Sequence, residues 1–284
     1  MAIKRVGIVG SGIMGSGIAE VAAKSGFEVV LRSRAQSSAD AMVAGLEKSL
    51  AKQVERGKIG EADREATLAR VRAVTDLGEL AECDLVIESV VEDLETKKHL
   101  FTDLDRLCGD GAILATNTST LPVVEMAMVT GRPDKVCGIH FFNPAPMMAL
   151  VEVVRAITSS DETIAEATAF ATACGKKPVQ VRDQAGFIVN ALLFPYLNNA
   201  VRLFDAGVAT RDDIDSAMKG GCNFPMGPLE LLDLVGLDTS LAILEALYAE
   251  FKDPNYAPAP LLRRMVSAER LGRKTGVGFY DYRK

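Results

Sequence analysis

The chain has 284 residues, 48% of them hydrophobic, with 32 Lys and Arg against 38 Asp and Glu for a formal net charge of -6. This length holds one large domain or two modest ones, and an acidic chain with no long basic tract argues against a nucleic-acid partner. The five cysteines (Cys83, Cys108, Cys137, Cys174, Cys222) are odd in number, scattered and without a C-x-x-C pair. They support neither a disulfide framework nor a zinc site, and they fit a reducing cytoplasm.

The apolar run Val6 to Val9 reads as a buried strand, and with a strand beginning by Ile3 no signal peptide is expected. It runs into Gly10-Ser11-Gly12-Ile13-Met14-Gly15, after which Ile18, Ala19, Ala22 and Ala23 carry a helical pattern. In such a turn Gly10 permits the tight bend, Gly12 lets a pyrophosphate approach the backbone, and Gly15 lets helix and strand pack closely. The helix start then offers N–H groups and partial positive charge to phosphates. Dinucleotide binding is therefore expected; the competing reading is a glycine-rich turn with no ligand. The next strand ends in Arg32-Ser33-Arg34, where an NAD-binding unit usually places a carboxylate for the ribose 2′-OH. Serine flanked by arginines suits a 2′-phosphate, so NADP(H) is the expected preference and NAD(H) the alternative; two solvated arginines would look the same.

Further strands are expected at 84–90, 112–116, 135–140, 149–154 and 177–182, beside those at 4–9 and 27–32. Helical patterns lie between most of them, which gives an α/β class with a doubly wound, mostly parallel sheet. Residues 37–72 form an excursion of two helical patterns split at Gly57–Gly60. Met42, Val43, Leu46, Leu50 and Val54 should face the protein, while Lys48, Lys52 and Arg56 recur every four residues on another face. That stripe is either a solvated face or a dock for a phosphate-rich ligand. The longest uncharged run, 184–201, holds Asn190, Pro195, Asn198 and Asn199 and reads as a buried helix, not a membrane span. Helical patterns continue to residue 270. The expected division is 1–184, a Rossmann-like domain with the insertion 37–72, and 185–284, an all-helical domain.

Two polar clusters follow strands of the sheet: Thr116 to Thr120, and His140 to Pro146. Ligands of open α/β sheets bind outside the carboxyl ends of the strands. Of the two histidines, His99 lies among Lys97, Lys98 and Thr102 on the polar side of a helix, whereas His140 lies at a strand end. If a base titrating near neutrality is needed, His140 is the candidate; a structural histidine is the competing reading.

On Gly10–Gly15, Asn117-Thr118-Ser119, His140-Phe141-Phe142-Asn143-Pro144, the Glu152 strand, Gly186–Asn190, Pro225–Pro228, Asp233–Asp238 and Gly272–Tyr280, the chain resembles the short-chain L-3-hydroxyacyl-CoA dehydrogenases over its full length. The resemblance implies hydride transfer between C3 of a short-chain (S)-3-hydroxyacyl-CoA, or acetoacetyl-CoA in reverse, and a nicotinamide cofactor. It implies a catalytic pair His140 and Glu152, with Ser119 and Asn190 completing the site. It places Glu92, Lys97, Asn117, Ser119, Asn143 and Lys274 near the cofactor, and the coenzyme A phosphates near Lys52 and Lys58, with Arg56 in the same stripe. It also implies a homodimer through the helical domain. Ser33, where NAD-dependent members carry Asp, and Thr120, where serine is usual, depart from the family pattern. The alternatives are a dehydrogenase of the same fold for a carrier-bound or free hydroxy acid, and a nucleotide-binding protein without chemistry. No metal is expected.

Overall fold

A computed structural model describes residues 3–283. The chain forms two compact units, one ending at Asp183 and one beginning at Gln184.

The first unit is built on eight strands: β1 Arg5–Val9, β2 Glu28–Arg32, β3 Val71–Val74, β4 Leu85–Glu88, β5 Ile113–Thr116, β6 Val136–Phe141, β7 Leu150–Arg155 and β8 Lys177–Arg182. They form one sheet in the order β3-β2-β1-β4-β5-β6-β7-β8. Its helices are α1 Ile13–Lys24, α2 Gln36–Glu55, α3 Glu61–Ala69, α4 Leu94–Leu107, α5 Val123–Ala127 and α6 Asp161–Ala173. The central strands are buried end to end, as β4 (Leu85, Val86, Ile87, Glu88) illustrates, because helices cover both faces of the sheet.

The neighbours β3 to β6 pair in parallel, β6 pairs with β7 antiparallel, and β7 with β8 in parallel. The exception has a simple cause. Between β6 and β7 the chain has only residues 142–149 and no helix, so it cannot cross back to the other end of the sheet and must return alongside. The helix α6 restores a parallel crossover into β8.

Seven strands are expected from the sequence; the eighth, β3, lies at the end of the stretch read as helical insertion. It is a four-residue edge strand whose pattern is interrupted by the exposed Arg72, so periodicity does not mark it. The insertion itself folds as the two helices α2 and α3. On α2, Ala39, Met42, Leu46 and Leu50 are buried against α1 and the sheet, with Val43 partly buried. The buried Glu20 of α1 ties the two helices together, accepting from the Ser49 hydroxyl at 2.9 Å and the Gln53 amide at 2.8 Å.

The second unit is helical: α7 Val189–Asp205, α8 Arg211–Cys222, α9 Pro228–Val235, α10 Leu237–Phe251 and α11 Pro260–Ser267. Phe194, Leu197, Val201, Leu229, Leu232, Leu244, Leu247 and Leu262 form its core. The long uncharged run is not buried throughout: Leu192 is 72% exposed on α7. Among the described residues no helix is long and apolar enough to cross a membrane. Two buried carboxylates fasten this unit. Asp233 accepts the Phe279 and Tyr280 N–H groups and the Tyr282 hydroxyl, while Asp215 accepts the Leu229 and Glu230 N–H groups and the Tyr280 hydroxyl. Burial pushes the Asp233 carboxyl up from its ordinary value, against those bonds. Several segments that carry the family resemblance therefore hold the unit together.

Candidate active site

The carboxyl ends of β1, β4, β5 and β6 lie along one edge of the sheet, and the polar clusters follow them. At β1 the chain turns through Gly10, whose φ is +116° and whose N–H donates to Arg32 O at 3.0 Å. A Cβ on Gly10 would lie 2.3 Å from Ser89 O, and one on Gly15 would lie 1.8 Å from Gly10 O. Both positions need glycine for close packing. Gly12 differs: nothing lies within 4 Å of where its Cβ would be, so a side chain there would fill open space in front of the helix. As the N-cap of α1, Gly12 brings no capping side chain, so the first N–H groups of the helix face that space. This cradle fits a pyrophosphate.

The Ser33 side chain meets the same turn. It is buried, and its Oγ lies 2.7 Å from Ser11 Oγ. Arg32 turns away, its Nε donating to Thr75 O at 3.0 Å, while Arg34 is exposed. The two flanking arginines thus differ in availability.

His140 and Glu152 stand directly opposite each other in the antiparallel β6–β7 pair. His140 Nδ1 lies 2.7 Å from Glu152 Oε2, and both residues are buried. A carboxylate can only accept, so Nδ1 carries the proton and Nε2 is the basic nitrogen of the neutral ring. Nε2 lies 3.1 Å from Ser119 Oγ. The Phe142 ring packs against the imidazole, with centroids 4.6 Å apart. Asn117 ties the neighbouring strand ends together, its Oδ1 accepting the Phe141 N–H at 2.8 Å. Asn143 is exposed in the loop that follows. That loop is held from below by Lys176, whose ammonium donates to Ala145 O and Met148 O at 2.7 and 2.9 Å. Burial pushes the Lys176 ammonium below its ordinary value.

Lys97 is not on a solvated polar side, as the helical pattern suggests, but is fully buried. It pairs with Glu88 at 2.9 Å and with Glu92 at 3.0 Å. Glu92 in turn accepts the Thr118 hydroxyl at 2.5 Å and the Ser119 N–H at 2.9 Å. Burial would raise the Glu92 carboxyl, but Lys97, Thr118 and the Ser119 N–H outweigh it and hold the group below its ordinary value. Glu88 is missed by the sequence reading, and Thr118 stands there in the polar cluster without a role of its own. The signal for Glu88 is a carboxylate closing an apolar strand. His99 is exposed, with Nδ1 2.8 Å from Glu95 O.

Lys48, Lys52, Arg56 and Lys58 are exposed on and just after α2, and none of them joins an ion pair among the described residues. A cavity of about 740 Å³ lies beside the same helix, lined by Gly12, Ser16, Glu20, Ser38, Met42 and Gly45 among others. In the second unit, Asn190 is buried near the start of α7, and Lys274 pairs with Asp238.

Residues 5–184 match the family model described as "3-hydroxyacyl-CoA dehydrogenase, NAD binding domain", and residues 186–282 match "3-hydroxyacyl-CoA dehydrogenase, C-terminal domain". A 3-hydroxybutyryl-CoA dehydrogenase of Mycobacterium tuberculosis is 48% identical over 283 residues, covering 99% of each chain. One of Clostridioides difficile is 48% identical over 280 residues, covering 99% of this chain and 100% of that protein. The crystal structure of (S)-3-hydroxybutyryl-CoA dehydrogenase from Ralstonia eutropha superposes with a TM-score of 0.97 at 43% identity, covering 100% of both chains. The chain belongs to the 3-hydroxyacyl-CoA dehydrogenase family.

Because the Glu92 carboxyl is held low in the folded chain, the stability it brings is complete above about pH 4.3, the ordinary glutamate value, and is lost as pH falls through the folded value. Glu92→Gln should therefore melt below wild type at pH 7, and thermal denaturation should show the gap narrowing as the pH is lowered towards 3. A gap that stays constant over that range would mean that the charge of Glu92 does not stabilise the fold.

Proposed function

We propose that this chain is a 3-hydroxybutyryl-CoA dehydrogenase, which moves a hydride between C3 of a short-chain (S)-3-hydroxyacyl-CoA and a nicotinamide cofactor, in either direction. The observation that carries the reading is the line Ser119 Oγ, His140 Nε2, His140 Nδ1, Glu152 at the sheet edge beside an open glycine-rich cradle. Relatives about 48% identical over the whole length bear the same name. A dehydrogenase for a carrier-bound or free hydroxy acid is not favoured.

The cofactor, when bound, accepts or returns the hydride at C3; the protein handles the proton. In oxidation His140 Nε2 takes the proton of the C3 hydroxyl, and in reduction it gives that proton back to the C3 oxygen. Glu152 fixes the ring tautomer and stabilises the imidazolium that forms. Ser119 hydrogen-bonds the C3 oxygen and sets its angle to the hydride path, and Asn190 is assigned the same task from the helical unit. Gly10 to Gly15 hold the pyrophosphate, with Glu92, Asn117, Asn143 and Lys274 assigned to the cofactor. The exposed cations Lys52, Arg56 and Lys58 serve the coenzyme A phosphates, which a free acid lacks. The helical unit is assigned to dimerisation, and the unpaired thiols fit the cytoplasm.

His140→Ala should lower turnover by roughly two to four orders of magnitude and leave cofactor binding in place, as measured by initial rates and fluorescence titration. Glu152→Gln should be severely impaired and His99→Ala nearly silent. Activity of His140→Ala within tenfold of wild type would sink the mechanism.

Lys52→Ala and Lys58→Ala should raise KM for acetoacetyl-CoA with little change in kcat, because they contact a part of the substrate remote from the reaction. Each exposed contact is worth on the order of 1 kcal/mol and weakens with salt. If truncating the coenzyme A moiety to pantetheine costs the double variant as much efficiency as it costs wild type, the stripe is only a solvated face.

With Ser33 against Ser11 and no carboxylate at the end of β2, the cofactor site favours NADPH over NADH, with Arg34 as the available partner for the 2′-phosphate. One charge-assisted contact contributes about 1.5–3 kcal/mol, or roughly ten- to a hundredfold. Ser33→Asp should reverse the preference and Arg34→Ala weaken it in kcat/KM comparisons. Equal or better efficiency of the wild type with NADH at physiological salt would refute it.

A further inference from the structure

Glu88 ends β4 in the middle of the sheet, opposite Val9 of β1 and Thr116 of β5, and is fully buried. Its carboxylate is well satisfied. Oε1 accepts the Val90 N–H at 2.6 Å and the Lys97 ammonium at 2.9 Å; Oε2 accepts the Thr116 hydroxyl at 2.7 Å and the same ammonium at 2.9 Å. An ammonium has three donors. Lys97, itself fully buried, has two of its contacts on Glu88 and the third on Glu92 at 3.0 Å. The other oxygen of Glu92 takes the Thr118 hydroxyl and the Ser119 N–H, and Ser119 Oγ lies 3.1 Å from His140 Nε2. An unbroken chain of polar contacts thus runs from Glu88 to the imidazole, entirely within the first unit.

Each link restrains a group that would otherwise be mobile. Ser119 lies in the turn after β5, and its backbone is fixed by Glu92. Glu92 is partly exposed, with 40% of its side chain open to solvent; Lys97 holds one of its oxygens inward while Thr118 and the Ser119 N–H hold the other. Lys97 carries a long flexible stem, and its ammonium stays in place because the buried Glu88 takes two of its bonds. Withdrawing Lys97 would leave the fully buried Glu88 carboxylate unpaired, which is strongly unfavourable, so the ammonium is kept between the two carboxylates.

We infer that Glu88 is a positioning residue: acting through Lys97 and Glu92, it sets where the Ser119 hydroxyl meets the C3 oxygen and His140 Nε2. The substrate in this statement rests on the dehydrogenase reading above; the chain of contacts does not. Lys97 then works from inside the protein, by holding Glu92, and its three donors are already engaged.

The chain contains two histidines, so the imidazole signals of His140 can be followed by nitrogen-15 NMR with the exposed His99 as internal reference. Two variants serve. Glu88→Gln drops the charge and keeps one oxygen for the Val90 N–H, its amide NH2 then facing the Thr116 hydroxyl, which can turn to accept. Glu88→Gln combined with Lys97→Met removes both fully buried charges and leaves only Glu92, whose partly exposed carboxylate water can hydrate. In both, the His140 Nε2 chemical shift should move in the cofactor-free protein while that of His99 stays put. With acetoacetyl-CoA, kcat should fall roughly ten- to a hundredfold, with KM for the acyl-CoA within about twofold. Ser119→Ala should mask the effect, so that adding Glu88→Gln lowers kcat no further. Unchanged His140 signals in the paired variant, or a Glu88→Gln loss that adds in full to that of Ser119→Ala, would overturn the inference and leave Glu88 a structural ion-pair partner. Absence of acetoacetyl-CoA turnover in wild type would overturn the dehydrogenase reading instead, while the NMR comparison still decides the positioning role.

Discussion

The return of the chain after β6 is the constraint on which the site depends. Eight residues without a helix force β7 to run antiparallel to β6, and the register of that pair sets His140 opposite Glu152. Directly opposed residues of an antiparallel pair share a face of the sheet with their Cβ atoms about 5 Å apart. A slip of one residue would send the carboxylate to the other face. Local packing guards the register: a Cβ on Gly138 would come within 2.7 Å of Val154 Cβ, so the two strands fit without spare room. Lys176 then ties down the connecting loop through two carbonyls.

The chemistry at this edge is set by charges kept from water. Glu88 ends β4 and His140 and Glu152 face each other across β6 and β7, and the turn after the intervening β5, which carries Ser119, bridges the two groups. Buried ion pairs add little net stability compared with apolar packing, yet they are costly to break. They therefore hold geometry firmly for a modest energetic return, which suits a site that must keep a proton acceptor and a hydroxyl in fixed relation. Elsewhere the buried polar groups are structural. Asp215, Asp233 and Asn198 satisfy backbone groups of the helical unit, and the buried Cys83, Cys137 and Cys174 thiols are pushed up to about 12 by desolvation, which keeps them inert.

Much of this was legible in residues alone. The inner strands are marked by apolar runs, because strands buried on both faces need them, whereas the edge strand β8 is marked by Val179 and Val181 alternating with the exposed Gln180 and Arg182. The α2 stripe of Met42, Leu46 and Leu50 marked the face of the insertion that packs. His140 stood out through its place at a strand end, and the resemblance supplied Glu152 and Ser119 as its partners. β3 escaped because an edge strand of four residues with Arg72 in its middle has neither length nor alternation. Lys97 was misread because helical periodicity records side-chain direction and not what waits there. A lysine on a polar stripe is buried only if carboxylates meet it, and Glu88 comes from a strand nine residues earlier. Pairings of that kind are tertiary facts.

The strand order also bears on how the chain reaches this fold. β1 pairs with β4, not only with β2, and the contact of Arg5 with Asp84 spans 79 residues because α2, α3 and β3 lie between in addition to α1 and β2. Closing so long a loop is cheap in equilibrium terms, since each doubling of length adds only about 0.6 kcal/mol of entropy cost. It is expensive in time, because distant segments must meet before their contacts reward them. The helical insertion is thus an addition that costs the native state little and slows folding: β4 must reach β1 across the whole excursion before their strand ends lie side by side.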